Sequence, residues 1–152
     1  ELPNKHTRVI FNLVDGSRLF FNDMRIFGWI RILSGDDWRK MENELPPDVV
    51  DERFSLKYLT RVLSKSTRSV KLVIMDSAKI GGVGNIYAND ALNLAKICPS
   101  RIANSLTKKE VGLLHAAIKE VMRRGIRYGG ATYSDFRDTQ GLGGKYQEHF
   151  LM

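Results

Sequence analysis

Three glycines in four positions, Gly81, Gly82 and Gly84, run into Asn85 and from there straight into an amphipathic stretch over residues 86–92. Asn85 suits a helix N-cap, and Ile86, Ala88 and Leu92 gather on one side only if a helix follows. A glycine turn that feeds a helix start aims unpaired backbone N–H groups outward, a geometry suited to an anion such as a phosphate. The same residues also suit a tight turn packed between two helices. Other polar side chains offer less chemistry. Asp23, Asp76 and Asp90 lack a spacing that would make an acid–base pair or a magnesium site, and structural hydrogen bonding is their expected role. His6, His115 and His149 are scattered and form no metal pattern. Cys98 is the one cysteine, which excludes an internal disulfide or a cysteine-based zinc site within this sequence. Beside Pro99, it is expected to be a buried structural thiol.

These residues need elements to hold them. The chain has 152 residues, 43% of them hydrophobic and 27% charged, the balance of a globular protein with one modest core or two small ones. A formal net charge of +7 makes an anionic partner a fair expectation. No apolar run approaches the ~18 residues of a membrane span, so no membrane partner is expected, and a cytoplasmic, nucleoid-associated location follows by default. Residues 8–13 and 18–21 alternate around Asp15-Gly16, a hairpin signal, and residues 27–33 read as a third strand. Three strands are few for an independent domain, which suggests the end of a larger sheet. Residues 35–51, charged and containing Pro46-Pro47, read as a linker with at most a turn of helix. The period then changes to 3.6. Phe54, Tyr58, Leu59, Val62 and Leu63 mark one helix, residues 70–75 a short one, and the helix at Asn85 is expected to end near Pro99. Thr107 and Glu110 form a capping box for the longest helix, which carries Val111, Leu114, Ala117, Ile118, Val121 and Met122 on its apolar face and stops at Gly129-Gly130. The fold class is α+β: a partial antiparallel sheet over 1–35, a linker over 36–51, and a mostly helical domain over 52–152.

The run G-V-G-N-I-Y-A-N-D-A-L at residues 82–92 resembles the signature of the formamidopyrimidine-DNA glycosylase family, in its helix–two-turns–helix domain. Asn22-Asp23-Met24-Arg25-Ile26-Phe27-Gly28 resembles the family's D-x-R-x-F-G strand and loop, and Val70-Lys71 with Met75-Asp76 resembles its I-K-x-x-L-x-D segment. Ile97-Cys98-Pro99, Ser105-Leu106-Thr107, Gly129-Gly130-Ala131-Thr132 and Asp138-Thr139-Gln140-Gly141 are similar to further family segments in the same order. The resemblance covers nearly the whole chain. Ser77 stands where the family usually has Gln or Asn, and Asp90 where it usually has Glu.

The resemblance implies base-excision repair: removal of oxidised purines, then AP-lyase cleavage through a Schiff base on an N-terminal proline. The partner implied is double-stranded DNA carrying oxidised purines or abasic sites, bound by a monomer. Residues 1–35 become the end of an N-terminal β-sandwich domain. Asn85, with Gly84 at the turn, is implied to hold phosphate beside the lesion; a plain N-cap is the other reading. Arg25 and Phe27 match a wedge that enters the duplex, against a strand with Phe27 in the core and Arg25 in solvent. Lys71 is either near the lesion or a solvated helix lysine. Tyr87 is expected in the core with its hydroxyl satisfied; a role at the DNA is the other reading. Arg123, Arg124 and Arg127 serve either DNA or the dipole of the long helix. Thr132, Tyr133, Gln140, Gly141 and Gly143 belong to the segment that resembles the loop closing over an everted 8-oxoguanine; an inert surface loop is the alternative. Pro3 is not the catalytic proline, because His6-Thr7-Arg8-Val9 after it is similar to an interior segment of the family, and its nitrogen, tied up in a peptide bond, cannot form a Schiff base. The family's zinc finger has no four cysteines here, so no cofactor is expected in this chain. It is expected to be inactive alone, with no catalytic residue. Two other functions fit the residues less fully: a non-enzymatic nucleic-acid-binding helix–two-turns–helix module, and an endonuclease VIII-like glycosylase for oxidised pyrimidines.

Overall fold

A computed structural model describes residues 2–132 and 141–151. It divides into two compact units, Glu1–Asn43 and Glu44–Met152.

In the first unit, β1 (Thr7–Asn12) pairs antiparallel with β2 (Arg18–Asn22). Ile10 lies opposite Phe20 and Asn12 opposite Arg18, with an irregularity between Thr7 and Val9. The turn forms as the Asp-Gly pair predicts. Gly16 takes φ +83°, and Asp15 Oδ1 accepts the Ser17 N–H at 2.9 Å. Residues 27–33 do not form the expected third strand. Alternation marks a segment able to pair, but a strand also needs a neighbour for its backbone groups, and among the described residues none pairs with it. Trp29 and Ile32 stand in solvent. The segment expected to be a linker carries a ten-residue helix instead, α1 (Gly35–Glu44). Ser34 Oγ accepts the Asp37 N–H at 3.1 Å, and Asp36 and Asp37 sit in the positive first turn. No residue of α1 is buried, which is why no apolar period announced it.

The second unit is helical: α2 (Leu56–Ser64), α3 (Val70–Ile74), α4 (Asn85–Leu94) and α5 (Lys108–Arg127), with 3₁₀ turns at Ala103–Ser105 and Tyr146–His149. Its core joins Leu59 and Leu63 of α2, Val70, Val73 and Ile74 of α3, Ala88 and Leu92 of α4, and Leu114, Ile118 and Val121 of α5. The capping box of α5 forms as expected. Thr107 Oγ1 accepts the Glu110 N–H at 3.3 Å, and Glu110 Oε2 accepts the Thr107 N–H at 2.7 Å. Arg101 adds its guanidinium to the same carboxylate, Nη2 to Oε2 at 3.0 Å, holding Glu110 down to about 2. This ties the connection between α4 and α5 to the helix it feeds. The connection is pinned a second time, because Ser69 and Ile102 form an antiparallel bridge and Ala103 N–H reaches Arg68 O at 3.0 Å. Helix α5 ends at Gly129 and Gly130, both left-handed, with Gly130 N–H bonded to Gly125 O at 2.8 Å.

Candidate nucleic-acid interface

The first unit presents Arg25 and Phe27 together. Asp23 builds the loop that carries them: Oδ1 accepts the N–H groups of Arg25 (3.0 Å) and Ile26 (2.9 Å), and Oδ2 accepts that of Gly28 (2.6 Å). The Gly28 N–H first, with the others helping, holds the Asp23 carboxyl below the usual carboxylate range. Gly28 permits a close approach, because a Cβ there would stand 2.6 Å from Phe21 Cζ and 2.9 Å from Asp23 Oδ2 and would force a side chain to shift. Ile26 adopts φ +58°, a costly conformation for a β-branched residue. The outcome is a phenylalanine with 78% of its surface exposed and the Arg25 guanidinium 5.3 Å from its ring centre. Phe27 is therefore not in a core, and Asp23 has the structural role expected of it.

In the second unit, the glycine turn is shaped by Asp48. Gly81 and Asp48 form a parallel bridge, with Gly81 N–H bonded to Pro47 O at 3.0 Å and Val49 N–H to Gly81 O at 3.2 Å. A Cβ on Gly82, which has φ +86°, would stand 2.7 Å from Asp48 Oδ2. The N-cap of α4 is Gly84 rather than Asn85. Gly84 has extended backbone and no side chain to turn back, so Asn85 becomes the first helical residue. The first hydrogen bond within the helix is Ala88 N–H to Gly84 O at 2.9 Å. No side chain caps this end and no acidic residue lies in its first turn. The start of α4 thus offers exposed donors and the Asn85 amide in a locally positive field.

Lys71, on α3, is half-buried and has no ion-pair partner among the described residues. Thr132 lies opposite Gly144 in a short stem, which Gly141 and Gly143 precede in the chain. Thr132 Oγ1 accepts the Gly144 N–H at 2.7 Å, Thr132 N–H reaches Gln147 Oε1 at 2.9 Å, and Ala131 bridges Lys145. Tyr133 and Gln140 lie outside the described residues. Tyr87 is half-buried with its ring centre 5.1 Å from that of Tyr146, and burial pushes its hydroxyl up. Arg124 is engaged by Glu120 at 2.8 Å, whereas Arg127 lies in the last turn of α5 with no carboxylate partner among the described residues. His115 is structural, its Nε2 3.0 Å from Phe54 O. Asp76 accepts the Ala78 N–H and pairs with Arg68 and Lys79. Cys98 is exposed rather than buried, since α4 ends at Leu94 and leaves residue 98 on an outer turn with its Sγ 3.2 Å from Ser100 Oγ.

One partnership had no local signal in the sequence. Asp90 and Tyr146, 56 residues apart, are both fully buried and bonded Oδ2 to Oη at 2.7 Å. Burial first, and then this bond, push the Tyr146 hydroxyl well up.

A helix that starts bare behind a glycine turn and packs on a long capped helix across a pinned connection defines a helix–two-turns–helix protein. Residues 45–137 match the family profile described as the formamidopyrimidine-DNA glycosylase H2TH domain. The chain belongs to the formamidopyrimidine-DNA glycosylase family. It is 40% identical over 148 residues to the formamidopyrimidine-DNA glycosylase of Pelotomaculum thermopropionicum, covering 96% of this chain and 54% of that protein. The Neisseria meningitidis glycosylase is also 40% identical, covering 97% and 53%. The crystal structure of the MutM (Fpg) protein from Thermus thermophilus superposes with a TM-score of 0.88 at 36% identity, over 97% of this chain and 57% of that one. Lactococcus lactis Fpg in complex with abasic-site DNA superposes at 0.84 and 30%, over 99% and 55%. The chain spans about half the length of the curated relatives it matches. The zinc implied by the resemblance needs a set of thiolates; Cys98 is alone, and no three His, Cys, Asp or Glu side chains gather into a metal-holding group among the described residues. No helix among the described residues is long and apolar enough to cross a membrane.

Proposed function

We propose that this chain is the damaged-DNA binding part of a formamidopyrimidine/8-oxoguanine DNA glycosylase with AP-lyase activity, acting in base-excision repair on duplex carrying oxidised purines or abasic sites. The carrying observation is the Asp23 loop, which accepts a left-handed isoleucine and sets Phe27 in solvent beside Arg25. An enzyme that works on a base must take it out of the stack. An exposed aromatic ring can enter the opened step, and a guanidinium can hydrogen-bond the base left without a partner. The bare start of α4 with Asn85 supplies phosphate donors that carry no sequence preference. Lys71 adds a cation for the backbone, and the pairing of Thr132 with Gly144 supports the lesion-recognition residues Thr132, Tyr133, Gln140, Gly141 and Gly143. Gly84 contributes by leaving the approach open, since no atom lies within 4 Å of where its Cβ would stand. The Schiff-base lyase step that the family resemblance implies needs the free amine of a proline, and Pro3 has an amide nitrogen joined to Leu2. This chain is therefore read as a binder that does not itself nick DNA. Lactococcus lactis Fpg in its complexes with abasic-site and Fapy-dG DNA supports the choice of ligand.

The test is binding to a short duplex with a tetrahydrofuran abasic analogue against intact duplex, at two salt concentrations. Tighter binding to the analogue that weakens with salt is expected. Equal affinity for both duplexes overturns the reading, as does a nicked 8-oxoguanine duplex overturn the assignment of this chain as a binder alone.

A further inference from the structure

Among the described residues the fully buried charged side chain is Asp90. A carboxylate is tolerated there only when its oxygens are hydrogen-bonded. Each finds a donor from the same distant segment: Oδ2 takes the Tyr146 hydroxyl at 2.7 Å, and Oδ1 takes the Leu151 N–H at 3.2 Å. One helical turn further along α4, Asn93 Nδ2 donates to the Leu151 carbonyl. Asp90 and Asn93 stand three residues apart on one helix face, so together they bind both backbone groups of Leu151, as a neighbouring strand would. One turn earlier, Tyr87 packs against the Tyr146 ring. The face Tyr87–Asp90–Asn93 therefore holds the segment from Tyr146 to Leu151. That segment is anchored equally firmly at its other end. Lys145 N–H reaches Tyr128 O at 2.8 Å, Tyr146 N–H reaches Gly130 O at 3.0 Å, and Gly144 N–H reaches Thr132 Oγ1 at 2.7 Å. Gly144 fits so closely that a Cβ would stand 2.0 Å from Gly130 O. Asn85 begins the helix that carries this face, five residues before Asp90.

We infer that Asp90 and Tyr146 are a positioning pair, fixing the Asn85 start of α4 against the paired residues Thr132 and Gly144 and so setting the preference for damaged over intact duplex. The inference rests on the proposed function. A hydrophobic contact would bind these elements too, but it would not fix their relative register. Two oxygens with two defined donors do fix it.

Tyr146→Phe in the full chain removes one hydroxyl and keeps the ring. Its expected effect is a fall of about fivefold or more in the ratio of affinities for tetrahydrofuran-containing over intact duplex. Faster amide exchange is expected at Leu151 and at Ala88, whose N–H makes the first hydrogen bond of α4. The double variant Asp90→Asn, Tyr146→Phe removes the underpaired buried charge. Recovery of stability with the ratio still low supports positioning; recovery of both means the pair only stabilises, and overturns it. Unchanged exchange at Ala88 in Tyr146→Phe overturns it as well, whatever the duplexes do. A wild-type chain with no lesion preference removes the functional reading itself, while the exchange data still report on the pair.

Discussion

Gly125 lies inside α5, where alanine is ordinarily the better residue by about 1 kcal/mol. Gly125→Ala is nonetheless expected to destabilise this protein. A Cβ at Gly125 would stand 2.7 Å from Tyr87 Cε1, 2.8 Å from its Oη and 2.9 Å from its Cζ. All three belong to one side chain, whose ring centre lies 5.1 Å from that of Tyr146, a neighbour that limits where the ring can move. Forcing a methyl into a filled site costs about 1–3 kcal/mol, and three short contacts to a braced ring place this case in the upper half. Subtracting the helix gain leaves a net loss of about 1–2 kcal/mol. Urea unfolding followed by helical circular dichroism measures it.

Two backgrounds isolate the cause. In Tyr87→Phe the clash with the ring carbons remains, so Gly125→Ala should still destabilise. In Tyr87→Ala the obstacle is gone, and the same substitution should now stabilise, by up to about 1 kcal/mol. The reversal of sign between backgrounds is a direct coupling between the two positions. If Gly125→Ala stabilises the wild-type chain, Tyr87 yields cheaply and does not set the approach of α4 to α5.

Phe27→Ala should leave stability within about 0.5 kcal/mol, because the ring packs into no core, while lowering the preference for abasic over intact duplex in a binding titration. Lys71→Ala should weaken binding to both duplexes alike and reduce the slope of log K against log salt by about one, measured by fluorescence anisotropy. Glu110 has a folded-state pKa of about 2, below its ordinary 4.5, so its carboxylate stabilises the fold above the ordinary value. That contribution is lost as pH falls from 4.5 towards 2, and Glu110→Gln should flatten the decline of thermal stability in that window.

What was legible in the sequence is what local chemistry decides. The Asp15-Gly16 hairpin and the Thr107–Glu110 box each need only residues a few positions apart, and both formed. The helix at Asn85 was legible but its cap was not, since glycine and asparagine both serve as caps and nothing local chose between Gly84 and Asn85. Helix α1 was hidden because all its faces meet water, leaving no period to read. The strand expected over residues 27–33 had the pattern but lacked the partner, which no pattern encodes. Long-range partners were invisible for the same reason: nothing near Gly82 points to Asp48, and nothing near Asp90 points to Tyr146.

Exposure alone does not separate a wedge from an uncovered sheet residue, because Trp29 and Ile32 are exposed as well as Phe27. Phe27 differs in being presented by a strained backbone that one carboxylate holds. Strain at Ile26 persists only where its surroundings determine it, and here three N–H groups converge on Asp23. If that arrangement exists to aim Phe27, then Asp23→Ala should lower lesion preference as Phe27→Ala does. The double variant should be no worse than Phe27→Ala alone, since an unaimed ring and an absent one are equally useless. If the two losses instead add on a logarithmic scale, Asp23 acts on binding independently of Phe27, and the loop is not an aiming device.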